Sequence, residues 1–407
     1  MFLLPLRPRF SPLLLCIAFL AAAPLHAQET DTVLRSMLQQ TLQTHPQIRA
    51  ARAKLDGSRF GLSAAEWGRY PSFSATASRN DAGDSVRQLA AQQPLWAGGR
   101  IDADIAANES KVSGATASVQ EAEFQLSEQV LLAAVELQRY RVLQQRAEES
   151  LAAYEKLLAA IHRRSEGGLG LQSDAILARS RVEQAKALSA QYAATARRAY
   201  TRWMSLTGLE PAALQVSESP NGALAPLKEL IEAAKAYSPA LVRLRAEAVT
   251  AAYEADVTQA AQWPQLSLRA TNTTAVTDSK QVMAVLEYQP GAGLGVLDRA
   301  RAAYSARDAA LAQIDKVTRD VEEQVSGAHA DLQGFAARAQ ALAAAAEANA
   351  EVIDSFIRQY NIGKRTWLDV MNAQREWAES RIQSEETRFN AIAAAYKLAI
   401  YSGRYFQ

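Results

Sequence analysis

The segment GKRTWLD at residues 363–369 aligns with GLGLQSD at residues 168–174, which lies 195 positions earlier in the chain. Four further pairs of landmarks recur in the same order, 193 to 196 positions apart: His45-Pro46 with Ser238-Pro239, Tyr70-Pro71 with Trp263-Pro264, Gln93-Pro94 with Gln289-Pro290, and Thr207-Gly208 with Ser402-Gly403. Landmarks that keep their order and spacing indicate an internal duplication. We therefore predict a first structural repeat at residues 28–210 and a second at residues 211–407.

Proline spacing divides each repeat further. Proline is absent from residues 95–210 and 291–407, and both stretches are rich in good helix formers. Glycine-bearing breaks at 166–172 and 361–366 make each stretch a predicted helical hairpin with an exposed tip. A rise of ~1.5 Å per residue gives the helix at 101–166 a length of roughly 100 Å. Shorter helices of about 55 Å each are predicted at 30–67, 171–206, 226–263 and 366–402. Helices of this length favour a coiled-coil tube over a globule.

Four short segments alternate apolar and polar residues, a pattern typical of strands with one apolar face. They lie at 72–78, 86–95, 265–271 and 282–288, and turn residues at 80–84 and 277–280 join them into β-hairpins at about 71–95 and 264–290. In lipid a sheet must close, and outer-membrane barrels have at least about eight strands. Membrane insertion would therefore require several copies of the chain. Two soluble hairpins on a periplasmic bundle are the alternative.

Aromatic residues flank these segments and favour the membrane interpretation. If the helices lie on one side of the sheet, all of these aromatic side chains fall on one rim, where an interfacial girdle belongs. They could equally fill the junction between helix and strand as core residues. The five residues are Trp67, Tyr70, Trp96, Trp263 and Tyr288.

The amino terminus predicts export. Arg7 and Arg9 precede an apolar run at residues 13–23, and Ala27 offers a small residue for cleavage, so residues 1–27 resemble a signal peptide. The apolar run is shorter than the ~20 residues that a membrane-spanning helix needs. The only cysteine, Cys16, lies inside it, which leaves the mature chain without disulfides or thiolate sites. A net charge of +1 gives no argument for binding nucleic acid.

Catalysis is not expected. His45, His162 and His329 are isolated in the sequence, with no neighbouring nucleophile and no metal-ligand spacing. The glycine-bearing tips lack the Lys-Ser/Thr pair of a phosphate-binding loop. We predict no enzyme activity, no cofactor and no metal site.

Two motifs in register with the duplication resemble the TolC-type outer-membrane channel (outer membrane efflux protein) family. They are QPLWAGGR at 93–100, where a strand passes into a helix, and YNIGKRTWLDV at 360–370. The resemblance covers essentially the whole mature sequence. It implies a mostly α fold with a small β membrane part: a homotrimer with a twelve-stranded transmembrane β-barrel, four strands per chain, continued by a long periplasmic α-helical coiled-coil barrel.

The same resemblance implies a passive duct in the outer membrane, in contact with its lipid. A periplasmic adaptor and an inner-membrane ABC or proton-driven pump would deliver the cargo. The QPLW and Gly-Gly-Arg residues look more like the branch used for type I protein secretion and general efflux than the lipid-anchored drug-efflux branch. The alternative from another class is a periplasmic coiled-coil adaptor or scaffold without a barrel, which the duplication and the four strands oppose.

Two sets of residues match functional positions of the family. The predicted adaptor-docking tips are Gly168, Leu169, Leu171, Gly363, Lys364, Arg365 and Thr366. The predicted periplasmic gate comprises Asp174, Tyr360, Arg365, Asp369 and Asn372. Ordinary interhelical turns and solvated charges near helix ends are the alternative interpretations. The chain departs from the family at Asn372, where the prototype has a second aspartate, and at 289–295, which lacks the Gly-Gly-Arg.

Overall fold

The computed structural model describes residues 25–79, 85–167, 171–211, 214–220, 225–274, 278–289 and 295–406. Most of the predicted signal peptide, residues 1–24 including Cys16, lies outside these ranges. The helices of the described parts are α1 Leu25–Thr44, α2 Pro46–Glu66, α3 Arg100–Glu166, α4 Gln172–Thr207, α5 Leu227–Tyr237, α6 Pro239–Ala260, α7 Gly295–Asn361 and α8 Trp367–Tyr401. The strands are β1 Ser72–Arg79, β2 Ser85–Trp96, β3 Gln265–Thr274 and β4 Ser279–Glu287.

One unit, a helix pair followed by a β-hairpin, a long helix and a return helix, occurs twice in this order. The two long helices, α3 and α7, have 67 residues each, which corresponds to about 100 Å. This confirms the predicted mostly α fold with a small β part and a duplicated helix–hairpin–helix unit. Within the described residues, every helix is too short or too polar to cross a bilayer.

The prediction of single helices at 30–67 and 226–263 is wrong, because each is broken at a residue that precedes proline. His45 has φ −66° and ψ 135°, and Ser238 has φ −55° and ψ 110°. The ring of a following proline disfavours the helical conformation at these residues. Each then caps the next helix: His45 Nδ1 accepts from the Gln47 N–H at 3.2 Å, and Ser238 Oγ from the Leu241 N–H at 3.4 Å.

The four strands form one antiparallel sheet in the order β1-β2-β3-β4. The central pair, β2 with β3, joins the two halves of the chain, and the outer edges of β1 and β4 have no partner strand within the described residues. Ser279 and Lys280 belong to strand β4 and not to the predicted turn, whereas Asn80–Asp84 and Thr277 lie outside the described residues.

The passage from strand β2 into helix α3 uses the residues of the QPLWAGGR motif. Gln93 Nε2 donates to the Arg69 carbonyl oxygen at 2.9 Å, and the pairing register shifts between Pro94 and Trp96, as in a β-bulge. Gly98 and Gly99 then adopt φ +61° and +85°, values that a side chain disfavours. A Cβ added to Gly98 would lie 2.8 Å from the Trp263 Cβ. The close approach of the two repeats therefore needs glycine at position 98.

The buried core lies near the middle of the long helix α3, where α1, α4, α8 and the carboxyl terminus pack on it. Its largest fully buried side chains are Trp203, Phe389, Tyr396 and Tyr405. Arg146 on α3 donates to Glu385 on α8 at 3.0 Å and forms an ion pair between the two helices. Helix α7 is different, because only six of its 67 residues are buried, against 18 in α3. Most of the surface of α7 is available for other contacts.

We predict that Gly98→Ala destabilises the protein more than Gly99→Ala. Both substitutions place a side chain in the left-handed region, at a cost of roughly 1–2 kcal/mol. Only alanine at position 98 must also displace Trp263, because no atom lies within 4 Å of a Cβ added at position 99. Thermal unfolding in detergent, followed by circular dichroism, measures the difference. Equal losses of stability would contradict the close packing at this junction.

Candidate functional site

The turn between α7 and α8 is a hairpin tip held by its backbone. The N–H of Gly363 donates to the Tyr360 carbonyl at 3.0 Å, and the N–H of Lys364 donates to the Gln359 carbonyl at 2.9 Å. This is the Schellman pattern, and it requires the φ of +75° that Gly363 adopts. The turn alone therefore explains why glycine is needed at position 363. The turn leaves residues 362–365 at the surface.

Helix α8 begins with a capping box. The Asp369 N–H donates to Thr366 Oγ1 at 3.2 Å, while Asp369 Oδ2 accepts from the Thr366 N–H at 3.1 Å and from its hydroxyl at 2.8 Å. These hydrogen bonds hold the pKa of the Asp369 carboxyl below its ordinary value. Asp369 therefore stays ionised until pH falls through that lowered pKa, and the stabilisation of the helix start is lost only in acid.

Arg365 makes its contacts within its own hairpin. Its guanidinium lies 4.3 Å from the centre of the Phe356 ring, and its Nε donates to Gln359 Oε1 at 3.3 Å. Asp369 is at the outer limit of ion pairing, with 3.9 Å between Arg365 Nη1 and Asp369 Oδ2. The predicted gate residues Arg365 and Asp369 thus lie side by side on one tip.

Tyr360 contacts the other hairpin through a residue that the sequence analysis missed. The guanidinium of Arg164, near the end of α3, lies 4.9 Å from the centre of the Tyr360 ring, and Arg164 Nη1 donates to the Tyr360 carbonyl oxygen at 3.4 Å. A cation–π contact of this kind is worth about 0.5–2 kcal/mol. The two tips therefore touch within one chain. Nothing in the sequence marks Arg164, because its role depends on a pairing 196 residues apart.

The remaining predicted tip residues are dispersed. Leu171 is exposed at the start of α4, and Asp174 and Asn372 are half-buried in the first turns of α4 and α8. No hydrogen bond or ion pair joins Asp174 to Tyr360 or Arg365 in the described part of the chain. Gly168 and Leu169 lie outside the described residues.

Large apolar side chains are exposed around both tips. Ile176 and Leu171 on the α3–α4 hairpin, and Ile362 on the α7–α8 hairpin, each expose about two-thirds of their surface, and Leu368 exposes almost half. Soluble surfaces rarely gather such residues without a partner. Ile176, Ile362 and Leu368 were not singled out from the sequence, although an apolar residue next to a glycine turn is a usable signal.

At the opposite end, the strand register sorts the sheet into two faces. The face that we call the apolar face carries Phe73, Ala75, Ala77, Leu89, Ala91, Leu266, Leu268, Ala270, Val282, Ala284 and Leu286. The other face, which we call the polar face, carries Ser72, Ser74, Thr76, Gln88, Gln92, Ser267, Arg269 and Thr271 together with the apolar residues Val86, Ala90, Met283 and Val285. On the polar face Arg269 donates to Gln92 Oε1 at 2.9 Å. On the apolar face Phe73 and Val282 are 80% and 71% exposed, so the single chain leaves its apolar surface uncovered.

The five predicted interfacial aromatics all lie at the end of the sheet that meets the helices. Pairing of Ser72 with Gln92, of Trp96 with Leu266 and of Gln265 with Glu287 brings these strand ends together. The side chains of Trp67, Tyr70, Trp96, Trp263 and Tyr288 are between 47% and 67% exposed, and Trp67 and Tyr70 contact each other at 5.2 Å between ring centres.

No cluster of three or more histidine, cysteine, aspartate or glutamate side chains suited to a metal ion occurs among the residues that the structure describes. At the α7–α8 tip, Arg365, Thr366 and Asp369 contact backbone or side-chain atoms of the same hairpin.

Residues 37–209 match the family model described as "Outer membrane efflux protein". The outer membrane efflux protein BepC of Brucella suis biovar 1 (strain 1330) is 24% identical over 331 residues, covering 77% of this chain and 70% of that protein. Among solved structures, the outer-membrane channel OprN superposes with a TM-score of 0.79 at 20% identity, covering 93% of this chain and 91% of that one. The outer membrane protein VceC of Vibrio cholerae superposes with a TM-score of 0.78 at 18% identity, covering 92% and 97%.

The family match, the relative and the shared fold agree with the resemblance found in the sequence. They also agree with a sheet whose apolar face is exposed and with aromatic side chains at its rim. Residues 37–209 thus match the outer membrane efflux protein family, and over most of its length the chain has the fold of solved outer-membrane channels; its similarities are to structural conduits of the outer membrane and not to enzymes.

Proposed function

We propose that three copies of this chain form a continuous duct for efflux across the outer membrane and the periplasm. Each copy contributes four strands to a twelve-stranded barrel, and the helices continue the barrel as a coiled-coil tunnel. The observation that carries the proposal is the sheet itself: an antiparallel β1-β2-β3-β4 order with an exposed apolar face and two open edges. Backbone groups at such edges must find partners in lipid, and only closure provides them.

Helix α7 supports the association of several copies. It is 67 residues long and buries only six of them, so one chain covers little of it. Much of its exposed surface is alanine, and Leu311 and Val352 add larger apolar contacts. Small side chains let neighbouring helices approach closely, as the wall of a coiled-coil tube requires. The uncovered side of α7 is therefore assigned to the adjacent copy.

The tips are the proposed entrance and docking site. Exposed Leu171, Ile176, Ile362 and Leu368 offer apolar contacts, and Lys364 and Arg365 add positive charge. This combination suits the hairpin tip of a periplasmic adaptor, which in turn connects to an inner-membrane ABC or proton-driven pump. Because the relative BepC carries an efflux name, small-molecule efflux is proposed first and type I protein secretion second.

The second candidate function, a periplasmic adaptor or scaffold without a barrel, would not need the exposed apolar face. Fractionation of cells that produce the chain separates the two. The duct predicts recovery only with detergent-solubilised outer membrane, and recovery in detergent-free periplasm would support the scaffold instead.

We predict that Arg164→Gln enlarges the resting conductance of the duct in planar bilayers. Loss of the guanidinium removes both the contact with the Tyr360 ring and the hydrogen bond to its carbonyl, so the two tips separate more easily. Tyr360→Ala should act in the same direction. Arg163→Gln is the matched control, since it removes an exposed positive charge one residue away. Equal conductance of Arg164→Gln and the control would contradict the gate role of this contact.

We also predict that the double charge reversal Lys364→Glu with Arg365→Glu impairs export without altering the assembly of the channel. The change reverses the charge of an exposed tip and removes the contacts of Arg365 with Phe356 and Gln359 at the end of α7, but it does not involve the sheet. The control reverses Lys186 and Arg197 on α4, which are away from the tip turn. Efflux of a dye from intact cells gives the readout, and normal efflux by the tip variant would argue against docking at these residues.

A further inference from the structure

The apolar face of the sheet contains a depression. One row across the four strands, fixed by backbone pairing, reads Phe73, Ala91, Ala270 and Val282. The large side chains stand on the outer strands and the two alanines on the central ones. Since paired residues of an antiparallel sheet point to the same side, the alanines form the floor of a groove between Phe73 and Val282.

The groove has the size and polarity of a binding site for an amphipathic molecule. Its volume is about 680 Å³, within the range of ~300–1,000 Å³ that small-molecule sites occupy. Beside the alanine floor it is lined by the apolar side chains of Phe73, Leu89 and Val282, and Ser74, Thr271 and Gln281 also contribute to the lining. Asn272 and Lys280, which are paired in register, line it at the end of the sheet away from the helices.

Positive charge is concentrated at that same end. Lys280 on β4 shares a row of the apolar face with Asn272 and Leu89, Arg87 on β2 lies one row further from the helices, and both are exposed. Neither forms an ion pair within the described residues. Uncompensated cations beside an apolar surface, at the level of a membrane interface, complement an anionic lipid headgroup.

We propose that this groove binds one acyl chain of a phosphate-bearing lipid, whose headgroup phosphate contacts Lys280 and Arg87. The inference rests on the proposed barrel, because that assembly turns the apolar face towards the bilayer. The helices extend into the periplasm, so the charged end of the groove lies in the outer leaflet. A groove on the face of one copy is not covered when strand edges of neighbouring copies pair.

The test uses the full mature protein in detergent and native mass spectrometry, with phosphatidylglycerol and phosphatidylcholine of identical acyl chains as probes. A cation near a membrane surface contributes ~1 kcal/mol to binding an anionic lipid, which is a factor of about five. With two such cations we expect phosphatidylglycerol to bind about 25-fold more tightly than phosphatidylcholine, and Lys280→Gln to reduce this preference to about fivefold. Inorganic phosphate alone should not compete, because the acyl chain supplies the larger contact.

Substitutions that fill the groove test whether it binds an acyl chain. Ala270→Leu should weaken the binding of both lipids, whereas Ala284→Leu, on the same face but outside the groove, and Lys186→Gln on α4 should not. Wild-type binding of phosphatidylglycerol by both Lys280→Gln and Ala270→Leu would overturn the proposal, as would an equal loss in Ala284→Leu. The mass of the complex reports separately on the barrel: a single chain counts against the trimeric duct, whatever lipid it retains.

Discussion

The structure depends on the backbone of two edge strands. Within one chain, every strand of the sheet has an antiparallel neighbour on at least one side, but the outer edges of β1 and β4 face no other strand of the described residues. In water such edges can bind solvent, whereas in hydrocarbon each unpaired N–H or carbonyl costs several kcal/mol. In water, however, the exposed apolar face of the sheet is energetically unfavourable. The proposed closure with other copies would satisfy both requirements at once, whereas the described part of one chain leaves both edges open.

The duplication explains how one chain can provide a third of the proposed barrel together with the helical wall beneath it. The sheet is built from one hairpin of each repeat, joined by the β2–β3 pair, and Gly98 packs against Trp263 where the repeats meet. At the far end the two hairpin tips are joined again, by Arg164 and Tyr360. Each repeat therefore contacts the other at both ends of helices about 100 Å long. The contact between the tips is of modest energy, which suits the entrance proposed above.

Much of this organisation could be predicted from the sequence, because proline, glycine and alternation act locally. The absence of proline from 95–210 and 291–407 marked the long helices, and Gly363 marked a tip. Other features depend on distant pairing. The breaks at His45 and Ser238 were missed because proline is compatible with the first turn of a helix as well as with the interruption of a longer one. The roles of Arg164 and of the Ala91–Ala270 floor appear only when helices and strands far apart in sequence are placed side by side.

The most direct measurement is cross-linking between the edges of neighbouring sheets. The only native cysteine is Cys16, in the predicted signal peptide, so Ala75→Cys on β1 and Val282→Cys on β4 would be the only thiols of the mature chain. Within one chain these strands are three spacings apart, about 14 Å, beyond the reach of a short bismaleimide. The closed barrel predicts that the double variant gives covalent species that end at three chains, while each single variant gives none. A double variant that remains a single chain, or a ladder that continues past three, would contradict it.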